Sequence, residues 1–451
     1  MKLVNIFYLI TIWLVINLTK CYAQQAQLTW LGVLPGGLNQ SYAFDVSDDG
    51  SVVVGKAKII GGKWRAVRWV NGVIQNLGTL GGNESEALAV SADGSVVVGK
   101  SLDSLGRSRA FRWENGVMTD IGTLLGELGH CNVYDVSADG LHLVGESLDS
   151  LGLWRAIVSS GGSVNDLGTL GGLQSYARAI SGDGLTIVGG ANVSAGYTHA
   201  FRNFGNVMGD LGTLGGNSSF AFGVSSDGSV VVGISKTTEG YDLAFRWKNN
   251  TMQNLGHFGG GWSRASSASA DGGIVVGGSN TFAGYMRAFR WTEANGLENL
   301  TNTYANLLVD GSNLSDAYAI SPNGCYIVGV GWNSSNPRSE AYLLSISTTE
   351  VNDNALLSPS EYKLFQNYPN PFNPSTRISW QSPVGSHQTL KVYDVLGNEV
   401  ATLVDEYKPA GRYEVEFSIP HQSINSIASS VFFYQLRAGN LVKTKKFILL
   451  K

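Results

Sequence analysis

Cysteine is nearly missing from this chain of 451 residues: there are three, and only Cys131 and Cys325 lie beyond the N-terminal apolar stretch. They fall at unlike points of the repeats described below. That argues against a disulfide between them and for burial as small hydrophobes. Proline is scarce too, at 10 against 58 glycines, and the glycines recur in register with short apolar runs, which marks turns rather than disorder. Neither sign of charge dominates. The balance of 31 basic against 35 acidic residues leaves −4, which removes the electrostatic case for nucleic acid. Beyond the N-terminus no run is apolar enough to cross a bilayer. His130, His142, His199 and His257 are scattered without metal-ligand spacing, and no nucleophilic triad is evident. Leu-Gly-Thr-Leu-Gly-Gly lacks the Lys and helix of a phosphate loop.

What the chain has instead is repetition. A Ser-x-Asp-Gly turn closes at Gly50, Gly94, Gly140, Gly184, Gly228, Gly272 and Gly324, with Asn323 replacing Asp in the last, at gaps of 44, 46, 44, 44, 44 and 52 residues. A period of that size marks a propeller or solenoid, whose units cannot bury their faces alone. Each unit divides into four short strand candidates. In the second these are Ala87–Val90, Ser95–Gly99, Arg109–Trp113 and Met118–Ile121. Their length, β-branched and aromatic content and Gly-rich boundaries favour strand over helix. The first two are apolar almost throughout, as suits a sheet covered on both faces. The repeat region opens on a strand-four sequence (Leu28–Gly32) and closes on a strand-three sequence (Glu340–Leu344). Donating the first strand to the last unit closes a ring and removes both free edges. The expectation is an all-β chain: a seven-bladed β-propeller over residues 24–346, then a small immunoglobulin-like β-sandwich. An open stack ranks second.

Leu-Gly-Thr-Leu-Gly-Gly, Val-Ser-Ala-Asp-Gly-Ser-Val-Val-Val-Gly and Arg-Ala-Phe-Arg-Trp resemble the repeats of the HAF family of extracellular repeat proteins, over residues 28–345. The resemblance implies an exported β-rich protein and brings no catalytic residues. Repeat three departs from it at Arg155–Val158, and repeat seven has lost the Arg and Trp of strand three.

The ends of the chain carry an address. Lys2, the apolar run Ile6–Ile16 broken only by Thr11, and Ala23 before Gln24 read as a signal peptide over residues 1–23. Lys20 argues against a lipid-modified Cys21. Residues 347–361 are polar and read as a linker. Residues 362–451 open with Tyr362–Gln366 running into Asn367-Tyr368-Pro369-Asn370-Pro371-Phe372-Asn373-Pro374, continue through Tyr393–Val400 with a turn at Gly397, and end on a basic-apolar strand containing Lys445 and Lys446. This segment resembles the C-terminal sorting domain of type IX secretion cargo. That implies the type IX machinery as a partner, passage across an outer membrane, removal of the domain, and release or anchoring at the surface.

Candidate chemistry is sparse. The turn residues Asp49, Asp93, Asp139, Asp183, Asp227 and Asp271 lack the alternating ligands of a calcium loop and suit hairpin turns. Arg68, Arg112, Arg202, Arg246 and Arg290 recur on strand three and suit structural pairing. The third residue of strand one is small in most repeats but is Asp45 in the first and Asp135 in the third. Both carboxylates are expected to face a central channel, where they could hold a cation such as Ca2+ or serve acid–base hydrolysis. No other cofactor is expected. Trp64, Trp154, Tyr197, Tyr241 and Tyr285, with Trp332 nearby, gather where a variable loop enters strand three and could stack on sugar or peptide. The expected function is a secreted or surface-exposed, non-catalytic module binding a glycan or protein partner. A polysaccharide hydrolase or lyase using the channel carboxylates, and a purely structural surface component, stand as alternatives.

Overall fold

The computed structural model describes residues 26–126, 129–346, 362–367, 369–372, 375–382, 386–408, 411–418, 430–438 and 441–449. The expected signal peptide and linker lie outside the described residues, as do Tyr368, Asn373 and Pro374. The chain divides into two compact units between residues 348 and 349.

The first unit is built from four-stranded antiparallel meanders. Ser41–Val46, Val52–Lys58, Trp64–Val70 and Val73–Gly78 form one, and Gly81–Val90, Val96–Asp103, Ser108–Glu114 and Val117–Asp120 the next. Two later meanders are merged into one sheet by a parallel bridge between Asp242 and Trp262. The strand Gln27–Trp30 pairs antiparallel with Arg338–Ser345 and completes the meander of the last repeat. The first strands of successive repeats lie against one another, from Ser41–Val46 round to Asn313–Ile320, and the last lies against the first. The core sits between sheets rather than within them. Val52, Val54 and Ala66 share a cluster with Ala87, Val97 and Phe111 of the following repeat. Ala319, Val328 and Ala341 of the last repeat share one with Val46, Val53 and Trp69 of the first.

Three details depart from the sequence reading. First, strand one is longer than its apolar core: in four repeats it begins at the Gly-Gly pair of the connector, as in Gly81–Val90. Glycine is required there because a Cβ on Gly82 would lie 2.5 Å from the Leu102 carbonyl oxygen. Second, strand one carries a β-bulge before its third residue, so that Ala87 pairs with Gly99 and Ala89 with Val98 while Leu88 is left unpaired. The glycine ending each Val-Val-Val-Gly run stands opposite this bulge, where a Cβ on Gly99 would come within 2.0 Å of the Glu86 carbonyl oxygen. Third, the long last interval holds a short helix, Leu300–Thr303, capped by the Asn299 side chain at 3.0 Å from the Thr301 N–H.

The Ser-x-Asp-Gly turns form a second ring. The residue after the serine donates its N–H to the equivalent carbonyl of the next repeat: Asp48 to Ala92, Ala92 to Ala138, Ala138 to Gly182, Gly182 to Ser226 and Ala270 to Pro322, with Asp227 taking the donor's place in the fifth, all at 2.9–3.1 Å. In the seventh turn that residue is Pro322, which has no N–H. The Asn323 side chain supplies the donor instead, from Nδ2 to the Asp48 carbonyl at 2.8 Å.

In the second unit Lys363–Leu364, Ser375–Ser382 and Gly411–Ser418 form one antiparallel sheet, and Glu399–Lys408, Ser386–Tyr393, Ser430–Ala438 and Leu441–Leu449 another. Trp380 and Phe417 of the first pack with Leu390, Tyr434 and Phe447 of the second in a common core.

Candidate functional site: a channel hub and an export domain

The bulge sets the geometry of the hub. By leaving one residue unpaired it turns two successive side chains of each inner strand toward the same space. Every repeat contributes such a pair, from Phe44–Asp45 to Tyr318–Ala319, to the wall of a central cavity of about 300 Å³. Asp45 and Asp135 therefore line one cavity. Each also reaches the strand of the next repeat: Val90 N–H donates to Asp45 Oδ2 at 2.9 Å and Ile180 N–H to Asp135 Oδ2 at 2.8 Å. Ser267 makes the same, longer bond from Ile320 N–H. Burial pushes Asp45 up to about 7. Burial and the Asp45 charge together push Asp135 up to about 8. Among the described residues no cation contributes to either shift, and no group of three or more metal-ligating side chains occurs.

Two arginines complete the hub, and the sequence reading missed both. The Arg178 guanidinium lies 3.6 Å over the Tyr134 ring and pairs with Glu146 at 3.4 Å, while Tyr134 donates to Glu146 at 2.7 Å. Arg264 pairs with Asp316 at 2.8 Å and lies over the Phe222 and Tyr318 rings. The available signal was a departure from the repeat at the bulge position and two residues before it. It carries nothing until the bulge is known.

The aromatic candidates do not form one set. Trp64 is half-buried, edge-on to Tyr42 at 5.5 Å and under the Lys56 and Lys58 ammonium groups. Trp154 is also half-buried. Tyr197, Tyr241, Tyr285 and Trp332 are exposed. They lie at or beside the hairpins between strands two and three, whose tips carry Ile60, Leu105, Leu151 and the 93% exposed Phe282. In an antiparallel meander these hairpins lie at the opposite end from the linked Ser-x-Asp-Gly turns, so the exposed rings and tips share one face.

The repeated polar residues serve the scaffold. Asp93 Oδ1 accepts from Ser91 Oγ, Ser95 N–H and Ser95 Oγ, and its equivalents accept likewise. Arg112, Arg202 and Arg246 donate to the carbonyls of Gly140, Gly228 and Gly272 in the next repeat. Arg68 donates to Gln75 and lies over Trp113, and Arg290 pairs with Glu298. Both cysteines among the described residues are free: Cys131 is fully buried, with its thiol pushed up to about 12, and Cys325 is half-buried.

In the second unit Asn370 and Phe372 bind the final strand. The Phe372 ring stacks on Phe447 at 5.2 Å and its N–H donates to the Ile448 carbonyl. Asn370 Oδ1 accepts from Ile448 N–H at 2.9 Å. Buried Asn367 receives the backbone segment around it, donating from Nδ2 to the Pro369 carbonyl and to Thr376 Oγ1. Pro371 follows Asn370 through a cis peptide bond. Gly397, at φ 84°, closes a turn whose Asp394 carboxylate accepts from Leu396 and Asn398 N–H. Lys446 is exposed and Lys445 half-buried, and the Lys446 carbonyl accepts from Gln366. Residues 366–450 match the family described as secretion system C-terminal sorting domain. The C-terminal unit is a type IX sorting domain. It marks the chain as exported to the surface or beyond, and no helix among the described residues is long and apolar enough to cross a membrane.

No curated protein matches the chain. Among solved structures it is similar to TolB from Acinetobacter baumannii, at 11% identity and a TM-score of 0.38 over 68% of this chain and 63% of that one. It is similar to the β-propeller domain of the Trilobed protease from Pyrococcus furiosus, at 10% identity and a TM-score of 0.45 over 67% of this chain and 95% of that one. It is also similar to PorZ, a surface component of the type-IX secretion system of Porphyromonas gingivalis, at 11% identity and a TM-score of 0.34 over 90% of this chain and 59% of that one. The chain thus spans less than two thirds of TolB and of PorZ.

Proposed function

We propose that the chain is a non-catalytic extracellular binding protein. Its first unit is a seven-bladed propeller of HAF-type repeats, and it is delivered after signal-peptide cleavage by the sorting domain, itself an immunoglobulin-like sandwich. The binding surface is the face carrying the strand two–three hairpins, and the partner is a glycan or a protein. The observation that carries this is the gathering of exposed rings and apolar tips on one face of the repeat unit, Tyr197, Tyr241 and Tyr285 among them. Large apolar side chains grouped on one face of an exported scaffold are a contact surface in waiting. Electrophoresis of the protein through gels containing dissolved polysaccharides tests it. Retardation by at least one polymer, reduced in Tyr241→Ala with Tyr285→Ala, is the expected result; retardation unchanged in that double variant rejects this face.

A second reading, a polysaccharide hydrolase or lyase, is favoured by the two raised carboxyls on one cavity wall. Turnover of a polysaccharide that disappears in Asp45→Asn with Asp135→Asn would establish it over the first.

A further inference from the structure

We propose that the hub cavity is a binding site for a neutral polyhydroxylated ligand, a single saccharide unit, held between Arg178, Arg264, Ser266 and the two channel aspartates. This rests on the reading of the chain as an exported binding protein and adds to it a second site, distinct from the hairpin face.

The class of ligand follows from what the wall has spent and what it has left. Both guanidinium charges are already matched, Arg178 by Glu146 and Arg264 by Asp316. An anionic ligand would find no free positive charge. The two aspartates have no cation of their own, but burial raises both and disfavours their charged forms, so a cation is not demanded either. What remains is hydrogen-bonding capacity. Arg178 Nε, Arg264 Nε and Ser266 Oγ are buried and without a hydrogen-bond partner, and all three residues line the cavity. Buried orphan donors are rare in finished interiors and gather where a water or ligand completes them. A hydroxyl can accept from such donors while donating to a carboxyl, and a sugar ring presents several in fixed relation. Phe222, Tyr134 and Tyr318 add flat apolar faces, as sites of this kind require. The volume of about 300 Å³ lies at the small end for ligand sites and suits one ring rather than a chain.

The test uses the full chain, with saturation-transfer NMR and titration calorimetry against D-glucose, D-galactose and N-acetyl-D-glucosamine. Tetramethylammonium and acetate serve as the cation and anion controls. At least one sugar should bind saturably. Ser266→Ala removes one orphan donor at little risk to folding and should weaken binding about five- to tenfold. Leu88→Trp, at an apolar position on the wall, should abolish it by filling the cavity. Sugar binding should survive Tyr241→Ala with Tyr285→Ala, which separates this site from the hairpin face: each can then fail alone. The proposal is overturned if no sugar binds, if Ser266→Ala and a folded Leu88→Trp bind as tightly as the parent, or if only tetramethylammonium or acetate occupies the hub.

Discussion

Asn323 shows how one atom exchange carries a structural task. The usual turn aspartate only accepts; here Oδ1 still accepts from Ser321 Oγ and Cys325 N–H while Nδ2 replaces the N–H that Pro322 lacks. Asn323→Asp keeps the first role and loses the second, and sets a carboxylate oxygen against the Asp48 carbonyl. The expected cost is about 1–2 kcal/mol, read as a lower urea midpoint at unchanged slope. Asn323→Ala should cost more, because the turn acceptor goes as well. Asp135 makes a different prediction. A carboxyl raised from 3.8 to about 8 holds its proton in the folded chain after the unfolded chain has released it. Its contribution is therefore fully present below pH 4 and is lost as pH rises toward 8. Asp135→Asn keeps an acceptor for the Ile180 N–H and cannot ionise. Its melting temperature should match the parent at pH 4 and exceed it by several degrees at pH 8, in parallel calorimetric scans.

Among elements, the strand Gln27–Trp30 has the most leverage. It covers the open edge of Arg338–Ser345, and the segment just after it supplies the Gly32 N–H that donates to Glu340 Oε1 at 2.7 Å. Glu340 is almost wholly buried and is otherwise held by Arg338 and Asn333. A chain beginning at Gly32 should lose the edge cover, lower the urea midpoint by at least 1 M, and aggregate on concentration. Glu340→Ala should cost about 3 kcal/mol in the same assay by stranding Arg338. This donated strand was legible in the sequence because a strand-four pattern at one end and a missing strand four at the other leave little choice. The strand bulge was not. Its signature, a glycine closing each Val-Val-Val run, is also what a plain turn would show. Only the pairing of Ala87 with Gly99 and Ala89 with Val98 reveals that two neighbouring side chains share the channel. So the sequence reading found Asp45 and Asp135 but passed over Arg178 and Arg264. Trp64 reads in sequence like the exposed rings because loop position is visible there and the cover given by Tyr42, Lys56 and Lys58 is not.

At the scale of the molecule, the sorting domain and the repeat unit meet different demands. The export signal is itself a folded surface, since Asn367, Asn370 and Phe372 are spent on fixing the opening segment to the final strand. Phe372→Ala should therefore unfold this domain, at a cost of about 3–5 kcal/mol, and leave the whole protein inside the outer membrane, as cell fractionation would show. The repeat unit has its own directional property. Gln27 pairs with Ser345, so the two ends of the repeat unit lie side by side at one end of one sheet. A pull between them meets the closing strand end-on and loads its hydrogen bonds singly, as in opening a zipper. A ring held closed through many shared interfaces would thus be opened by a modest force applied at that one seam.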